Sequence, residues 1–413
     1  MSTKSLLPVI AAALLGSVFP AMAQQPGADF PEGAGKAPVQ AICGGCHEIG
    51  RLTAGYTPEG WRTVVRMMQN FGAPIPADQV ATITDYLTKS FPEKPRPAAV
   101  IVPGPVEVNI KQFKVPTPGS RPHDPATAKD GTMYYASQLA NQIGHVNPAT
   151  GEIKEYKVNP QTGPHSLIED NDGNVWYTGN FAGLIGKLDP KTGAVTEYKI
   201  PAPGAKDPHT IIKDKEGTLW FTAQVANKVG RINPKTGEIK IVTPPTANAR
   251  PYGMAVNSKN EIYFVEFGTN KIATIDRNTM DIKEFTLPDP GARPRRISIA
   301  TDDTIYYSDY ARGYLGHLDP ATGKVEEWQS PSGPKSQPYG QVFTKGAVWY
   351  NESGAKPNTI VRFDPQTKKF QSWAIPGGGD IVRNMVVNRD GNPITANSLV
   401  NEVGIVDIKG ATN

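Results

Sequence analysis

One turn motif recurs through most of this 413-residue chain, and its period constrains the fold more than any other feature. An Asp or Asn opens each copy, as in Asp189-Pro190-Lys191-Thr192-Gly193. The seven copies begin at Asn147, Asp189, Asn233, Asp276, Asp319, Asp364 and Asp407. Successive copies are 42 to 45 residues apart, which is the length of one four-stranded propeller blade. The sequence therefore predicts an all-β, seven-bladed β-propeller over residues 106–413.

The last repeat is incomplete, and the start of the repeat region offers the missing piece. Each period predicts four short strands, but the seventh ends after its third, at Asp407. Residues 110–115 carry the same pattern as residues 153–158, which form a predicted fourth strand. We expect residues 110–115 to complete the last blade, because such an exchange closes the ring and leaves no open sheet edge.

The aligned repeats also predict a polar channel mouth. The innermost strands would begin with His123, His165, His209, Tyr252, Arg295, Tyr339 and Arg383. The second strands would return to the same rim with Ser137, Gly179, Ala223, Glu266, Asp309, Glu352 and Asn397. Such a mouth could bind a small molecule or a divalent metal, or its polar groups could simply bond one another and water. The candidate catalytic residues are His165, His209, Glu266, Asp309 and Glu352.

A second signal, Cys43-Gly44-Gly45-Cys46-His47, lies near the N-terminus. C-x-x-C-H attaches haem c through two thioethers and places the histidine beneath the iron. Zinc would need further Cys or His ligands, and His47 is the sole histidine of residues 24–122. We therefore expect one covalent haem c, held by Cys43 and Cys46, with His47 as an axial ligand of the iron.

Met67 and Met68 are the candidates for the second axial ligand. Thr57-Pro58 predicts a helix start, and one face of that helix carries Trp61, Val64, Val65 and Met68. Met68 would therefore face an apolar haem pocket, whereas Met67 lies off that face. We take Met68 as the ligand and Met67 as the alternative.

Four segments follow one another along the chain. Residues 1–23 contain one charge, Lys4, then an apolar run, and end in Ala21-Met22-Ala23, which is typical of a cleaved signal peptide. Residues 24–91 form the expected all-α cytochrome c domain, 92–105 a Pro-rich linker, and 106–413 the propeller. The apolar run is shorter than the ~20 residues that span a bilayer, so we expect a periplasmic protein with no membrane span after cleavage.

The charge pattern bears on the partners. The formal net charge is +4, with acidic and basic residues interleaved, which argues against nucleic acid as a ligand. A secreted haem protein needs a partner for its electrons. We expect a periplasmic redox partner, either a dehydrogenase or another cytochrome, and a small-molecule substrate at the propeller.

The propeller repeats carry a G-x-x-W-[YF]-T pattern at Gly173–Thr178 and Gly217–Thr222. This pattern resembles the virginiamycin B lyase (streptogramin lyase) family of seven-bladed propellers. The resemblance implies a divalent metal and opening of a cyclic depsipeptide lactone by elimination, with a Glu followed two positions later by a catalytic His. Two positions after Glu266 and Glu352 this sequence has Gly268 and Gly354 instead of a histidine. A metal-dependent lyase is therefore the alternative function and not the main one.

Residues 24–91 resemble the small cytochrome c domains attached to periplasmic dehydrogenases, including the haem-binding part of quinohemoprotein amine dehydrogenases. The resemblance is carried by Thr57–Trp61, Arg66–Met68, Gly72 and Asp85–Leu87. It implies a methionine ligand four residues before the glycine, which is Met68. The main expectation is a monohaem cytochrome that exchanges electrons with a dehydrogenase or with a substrate at the propeller mouth.

Overall fold

The computed structural model describes residues 30–45, 49–70, 72–201 and 207–410. The predicted signal peptide, together with Cys46 and His47, lies outside the described residues. The described N-terminal part forms α1 (Lys36–Cys43), α2 (Pro58–Asn70) and α3 (Val80–Ser90), with 3-10 turns at Ile49–Ala54 and Ala77–Gln79. None of the helices in these described stretches is long and apolar enough to cross a bilayer.

The predicted start of the second helix is confirmed. The Thr57 hydroxyl accepts a hydrogen bond from the Gly60 N–H at 3.0 Å, and Pro58 occupies the first helical position, where its missing N–H costs nothing. Trp61 and Val65 are buried, and they pack with Ile83 and with the partly buried Met68. The apolar face predicted from helical spacing is thus the face that packs against α3.

The rest of the described chain forms seven four-stranded antiparallel sheets, which confirms the predicted propeller. Blade 1 consists of β2 (Pro122–Thr127), β3 (Met133–Ser137), β4 (Gln142–Val146) and β5 (Ile153–Lys157). Blade 2 consists of β6 (Pro164–Glu169), β7 (Val175–Gly179), β8 (Leu184–Leu188) and β9 (Val195–Lys199). Blade 3 consists of β10 (Pro208–Lys213), β11 (Leu219–Ala223), β12 (Lys228–Ile232) and β13 (Ile239–Val242). Blade 4 consists of β14 (Pro251–Val256), β15 (Ile262–Glu266), β16 (Lys271–Ile275) and β17 (Ile282–Thr286). Blade 5 consists of β18 (Pro294–Ile299), β19 (Ile305–Asp309), β20 (Tyr314–Leu318) and β21 (Val325–Gln329). Blade 6 consists of β22 (Pro338–Thr344), β23 (Ala347–Glu352), β24 (Thr359–Asp364) and β25 (Lys369–Ala374).

Blade 7 joins the two ends of the repeat region. Its strands are β26 (Val382–Val387), β27 (Pro393–Asn397), β28 (Glu402–Lys409) and, outermost, β1 (Glu107–Lys114). β1 pairs with β28 in antiparallel register from Glu107↔Lys409 to Lys114↔Glu402. This confirms that a strand from before the first repeat closes the ring.

A buried aspartate organises the turn between the first two strands of a blade. In blade 2 the Asp170 carboxylate accepts the Asp172 and Asn174 N–H groups at 2.8 and 2.9 Å, and the Trp176 indole N–H at 2.7 Å. Gly173 takes the positive φ of +85° that the turn requires. Asp214 binds Trp220 in the same way in blade 3, at 3.0 Å. The tryptophan of the G-x-x-W repeat is therefore a structural residue.

In blades 2, 3 and 5, an aromatic side chain of the second strand lies very close to a glycine of the third. Gly186 on β8 pairs with Tyr177 on β7, and a Cβ on Gly186 would lie only 2.0 Å from the tyrosine ring. The same arrangement pairs Gly230 with Phe221 and Gly316 with Tyr307. In these three blades the aromatic side chain of the second strand thus packs on glycine backbone of the third strand.

The Pro-rich linker lies extended along blade 6 and is bonded to it. The Val100 and Val102 N–H groups donate to the Ser332 and Ser372 hydroxyls at 3.1 and 2.8 Å. Arg96 forms ion pairs with Glu93 at 2.9 Å and with Asp380, just before β26, at 2.8 Å. The linker therefore ties the helical part to the propeller over several residues.

The ring closure predicts the effect of a change in β1. Ile110 is partly buried and packs against the apolar core between blades 6 and 7, whereas Asn109, one residue earlier, is exposed. We expect Ile110→Asp to lower the free energy of unfolding by about 1–3 kcal/mol, since it places an unpaired carboxylate against apolar side chains. Asn109→Ser, an uncharged change at the exposed neighbour, is the control and should change it by less than about 0.5 kcal/mol. Urea unfolding followed by circular dichroism measures both, and equal effects would argue against closure through β1.

Candidate functional site

The polar residues predicted to begin the innermost strands all occupy the same structural position. Each follows the first residue of its strand, and that first residue pairs with the last residue of the neighbouring strand. The pairs are Pro122↔Ser137, Pro164↔Gly179, Pro208↔Ala223, Pro251↔Glu266, Pro294↔Asp309, Pro338↔Glu352 and Val382↔Asn397. Both predicted sets of residues therefore lie on one rim of the channel, called the mouth below.

Three histidines from neighbouring blades lie in a row at the mouth, with their rings tilted against one another by 38° and 53°. The ring centroids of His123 and His165 are 3.5 Å apart, and those of His165 and His209 are 3.9 Å apart. Tyr252 continues the row, 3.8 Å from His209. Each of the three imidazoles is only 3% exposed. The structure thus brings His165 and His209, which the aligned repeats place on one rim, into contact.

The three imidazoles are neutral at pH 7. Burial lowers the pKa of His123 well below 6.5, and the charges of Arg383, Arg121, Arg296 and Arg295 lower it further. Burial is also the main cause of the low pKa values of His165 and His209. Neutral histidines can accept a hydrogen bond or ligate a metal, but they add no positive charge to the mouth.

An ion pair crosses the channel axis beside the histidines. Asp124 of blade 1 accepts hydrogen bonds from Arg296 of blade 5 at 2.9 and 3.2 Å, and from Asn384 of blade 7 at 3.0 Å. Arg296 also donates to Thr210 of blade 3 at 2.8 Å. His123 Nδ1 lies 2.9 Å from Asp124 Oδ1. This network links four blades across the axis through one fully buried carboxylate.

Among the described residues, a group with metal-ligand character is formed by His123, Asp124 and His165, whose donor atoms lie within 4.8 Å of one another. Neutral imidazoles and a carboxylate suit a divalent transition metal. However, both oxygens of Asp124 already accept bonds from Arg296, and the guanidinium charge opposes a cation. The group is better described as one end of the cross-channel ion pair.

On the other side of the mouth an arginine lies among aromatic rings. The Arg295 guanidinium carbon lies 3.7 Å from the Tyr339 ring centroid and 4.1 Å from that of Tyr310. The Tyr252 and Tyr339 hydroxyls are hydrogen-bonded to each other, and Arg295 donates to Tyr252 at 3.3 Å. Burial raises the pKa of Tyr252; burial acts in the same direction on Tyr339, but Arg295 and other arginines outweigh it and lower that pKa.

The three predicted carboxylates lie in separate networks within their own blades. Glu352 accepts hydrogen bonds from Ser330, Ser332 and Thr359, at 2.6 Å from the Ser330 hydroxyl. Asp309 forms an ion pair with Arg312 at 2.6 Å. Both are fully buried, and these bonds hold them in place within the blade.

Glu266 is different because its environment favours the protonated form. Its side chain is fully buried, and Oε1 has no hydrogen-bond partner. Burial and the neighbouring Glu284 carboxylate raise the pKa of Glu266 to about 7. Glu284 itself stays ionised, since it accepts from the Lys271 ammonium at 2.6 Å and the Thr246 hydroxyl at 2.7 Å. Of the two neighbouring carboxyl groups, Glu266 is therefore the one that binds a proton more readily.

An apolar cavity of about 500 Å³ lies within the helical part. Its walls include Ile42, Cys43, Leu52, Tyr56, Trp61, Val64, Val65, Met67, Met68, Ala73, Ile75, Ile83 and Leu87. The cavity therefore brings Cys43, at the end of α1, together with both candidate methionines on α2. Burial raises the pKa of the Cys43 thiol, as expected where apolar side chains surround it.

The wall of this cavity touches the channel mouth. Arg121, which precedes β2, donates to Met67 Sδ at 3.0 Å and to Gln138 Oε1 at 2.8 Å. Arg66, one position earlier on α2, lies 3.4 Å from the Pro118 and Gly119 carbonyls. The end of α2 is thus seated on the rim of the mouth, with Met67 in contact with both the cavity and the mouth.

Four residues of the mouth were missed by the sequence alignment: Arg121, Asp124, Arg296 and Asn384. The pairing register of every innermost strand shifts just after its first residue. Such an irregularity lets two consecutive residues, such as His123 and Asp124, reach the channel, although strict alternation would turn the second one away. The doublet Arg295-Arg296 was the available signal.

The comparisons with known proteins agree with this architecture. The sequence profile of the virginiamycin B lyase family matches residues 104–356. The chain belongs to that family. A streptogramin B lyase structure is 26% identical, with a TM-score of 0.66, and covers 73% of this chain and 98% of its own. Virginiamycin B lyase from Staphylococcus aureus is 25% identical with the same TM-score, over 73% and 99% of the two chains.

A more distant neighbour shares the fold alone. Hydrazine synthase from Kuenenia stuttgartiensis is 14% identical, with a TM-score of 0.59 over 71% of this chain and 97% of its own. The comparison with curated proteins found no match. Family membership accounts for the propeller, and the match begins at residue 104, after the helical part.

The raised pKa of Glu266 predicts a pH-dependent stability. Between 4.5, the ordinary pKa, and about 7, the folded protein holds a proton that the unfolded chain releases. Stability therefore falls as pH rises through this range, by up to about 3 kcal/mol. Glu266→Gln should remove this part of the pH slope, while the exposed Glu238→Gln should retain it. Urea unfolding at pH 5 and pH 8 measures the slopes, and identical slopes in both variants would contradict the assignment.

Proposed function

We propose that this protein is a periplasmic monohaem c-type cytochrome whose haem exchanges single electrons with a substrate held at the propeller mouth. The observation that carries the proposal is the apolar cavity lined by Cys43 and Met68, because its wall touches the mouth through the contact between Met67 and Arg121. A periplasmic dehydrogenase or another cytochrome would then be the second electron partner.

The residues of the cavity fit a haem. The cavity is large and apolar, and Cys43 lies in its wall. Cys43 is the first residue of the C-x-x-C-H motif. Cys46 and His47 follow within four residues, although both lie outside the described part of the chain. When bound, a haem supplies an iron that gains and loses one electron at a time. Buried aliphatic and aromatic side chains around it would exclude water from the iron.

The contacts of the two methionines favour Met68 as the second axial ligand. Met68 packs against the core cluster that also contains Trp61, Ile83 and Leu87. The sulfur of Met67 instead accepts a hydrogen bond from Arg121 of the propeller. Met67 is therefore engaged between the two parts of the protein, which leaves Met68 for the iron.

A second candidate function is a metal-dependent lyase with an accessory haem domain. Family membership and the group of His123, Asp124 and His165 favour it. The Glu-x-His pattern implied by the family is absent after both Glu266 and Glu352. An elimination moves no net electrons, so it would leave the haem without a role.

The haem is tested by the visible spectrum of protein produced with the haem-attachment machinery. We expect a reduced-minus-oxidised c-type spectrum, and its loss in Cys43→Ala. The weak Met-to-iron absorption band should disappear in Met68→Ala and persist in the matched control Met67→Ala. A protein without covalent haem under these conditions would overturn the proposal.

The role of the mouth is tested separately with His165→Ala and His209→Ala. Under the proposal both variants keep the haem spectrum but slow reduction of the haem by a substrate, because the altered groups lie at the mouth and not in the cavity. Metal analysis of the same samples distinguishes the lyase. A stoichiometric divalent metal that is lost in His165→Ala would favour the second candidate.

A further inference from the structure

The mouth contains more positive than negative charge. Arg121, Arg295, Arg296 and Arg383 all lower the pKa of His123, so their charges surround one imidazole. Asp124 is the carboxylate that faces them, and Arg296 occupies it at 2.9 Å. Within the described residues, Arg121, Arg295 and Arg383 form no ion pair with any Asp or Glu.

These three arginines also keep donors that no protein atom uses. Arg121 Nε and Arg295 Nε are buried without a hydrogen-bond partner. Arg383 donates from Nε to the Ser398 hydroxyl at 2.8 Å, and its two terminal amino groups have no protein acceptor among the described residues. His165 Nδ1 has no partner either, and that side chain is 97% buried, being 3% exposed.

Leaving such groups together without an anion is unfavourable. Burial and the charge of Arg383 lower the pKa of Arg121 to about 9, so the surroundings of Arg121 disfavour its positive charge, whereas the neighbouring tyrosines raise the pKa of Arg295. A buried donor without an acceptor costs about 1–3 kcal/mol. Planar guanidinium groups match the geometry of a carboxylate or a similar oxyanion. The side chains of all three arginines are partly exposed, which leaves the cluster open to a ligand.

We propose that the propeller mouth binds a small carboxylate or similar oxyanion, held by Arg383, Arg295 and Arg121 beside the row of three histidines. This inference deepens the proposed function, on which it rests for the ligand's role as substrate. The end of α2 lies against the rim, where Met67 contacts Arg121. Because α2 occupies part of the rim, we expect only small ligands to fit in the mouth. The aromatic rings of Tyr339 and Tyr310 hold Arg295 in position through cation–π contacts.

Calorimetric titration of the haem-loaded, full-length protein tests the inference, with oxalate, acetate and sulfate as probes in chloride-free buffer at low ionic strength. We expect saturable 1:1 binding of at least one probe. Arg383→Gln and Arg295→Gln should each weaken it at least tenfold. The control is Arg389→Gln, since Arg389 is 64% exposed on the turn after β26, at the opposite rim; it should leave binding unchanged.

A second measurement guards against variants that fail to fold. The thermal midpoint of the unaltered protein should rise with the bound probe, and Arg383→Lys, which keeps the charge but loses the planar fork, should show a smaller rise. No saturable binding of any probe, or equal weakening in Arg389→Gln, would overturn the inference.

Two further arms separate the possible sources of the anion and the two proposals. The anion probe could bind the haem-free Cys43→Ala protein but not the haem-loaded protein. That result would mean that the arginines bind the carboxylates of the haem itself, and it would overturn binding of a free anion. A c-type spectrum without anion binding overturns this inference alone. Anion binding by protein that never acquires haem overturns the cytochrome proposal alone.

Discussion

The pairing of β1 with β28 is the constraint on which the rest of the structure depends. It joins residues 107–114 to residues 402–409 and converts a row of seven sheets into a closed ring. Only in a closed ring do all innermost strands begin on one rim. That closure brings Asp124 within 3.0 Å of Asn384, 260 residues away, and it places Arg121 beside Arg383. Because β1 covers the edge of β28, that edge is not free to pair with another chain.

Charge organises the mouth that closure creates. Four arginines face a single carboxylate, and the bond between Arg296 and Asp124 neutralises one of them. The histidines stay neutral because burial and these arginines disfavour a further proton. The carboxylates of blades 5 and 6, Asp309 and Glu352, are held away from this group by their own partners. Neutral imidazoles beside guanidiniums that have no ion-pair partner in the described part of the chain favour an anionic ligand over a metal ion.

The family relationship explains the scaffold better than the chemistry. The chain shares its propeller with virginiamycin B lyases, yet glycines stand where the family pattern implies a histidine after Glu266 and Glu352. One propeller fold supports many chemistries, since function resides in the side chains at the mouth. Here the helical part is bonded to the rim through Met67 and Arg66. The mouth is therefore built by both parts of the chain.

The sequence by itself determined the number of blades, the closing strand and the row of residues at the mouth, because a regular repeat assigns equivalent residues to equivalent positions. It also predicted an apolar pocket for Met68, and the fold places Cys43 and Met68 on the wall of one cavity. Tertiary structure alone decided that Asp124, Arg296 and Asn384 join the mouth, since a register shift in each innermost strand breaks the alternation on which sequence reasoning relies. It also decided which carboxylates are satisfied within their blades, and that α2 is seated on the rim. These outcomes depend on contacts between residues far apart in the chain, which local periodicity does not encode.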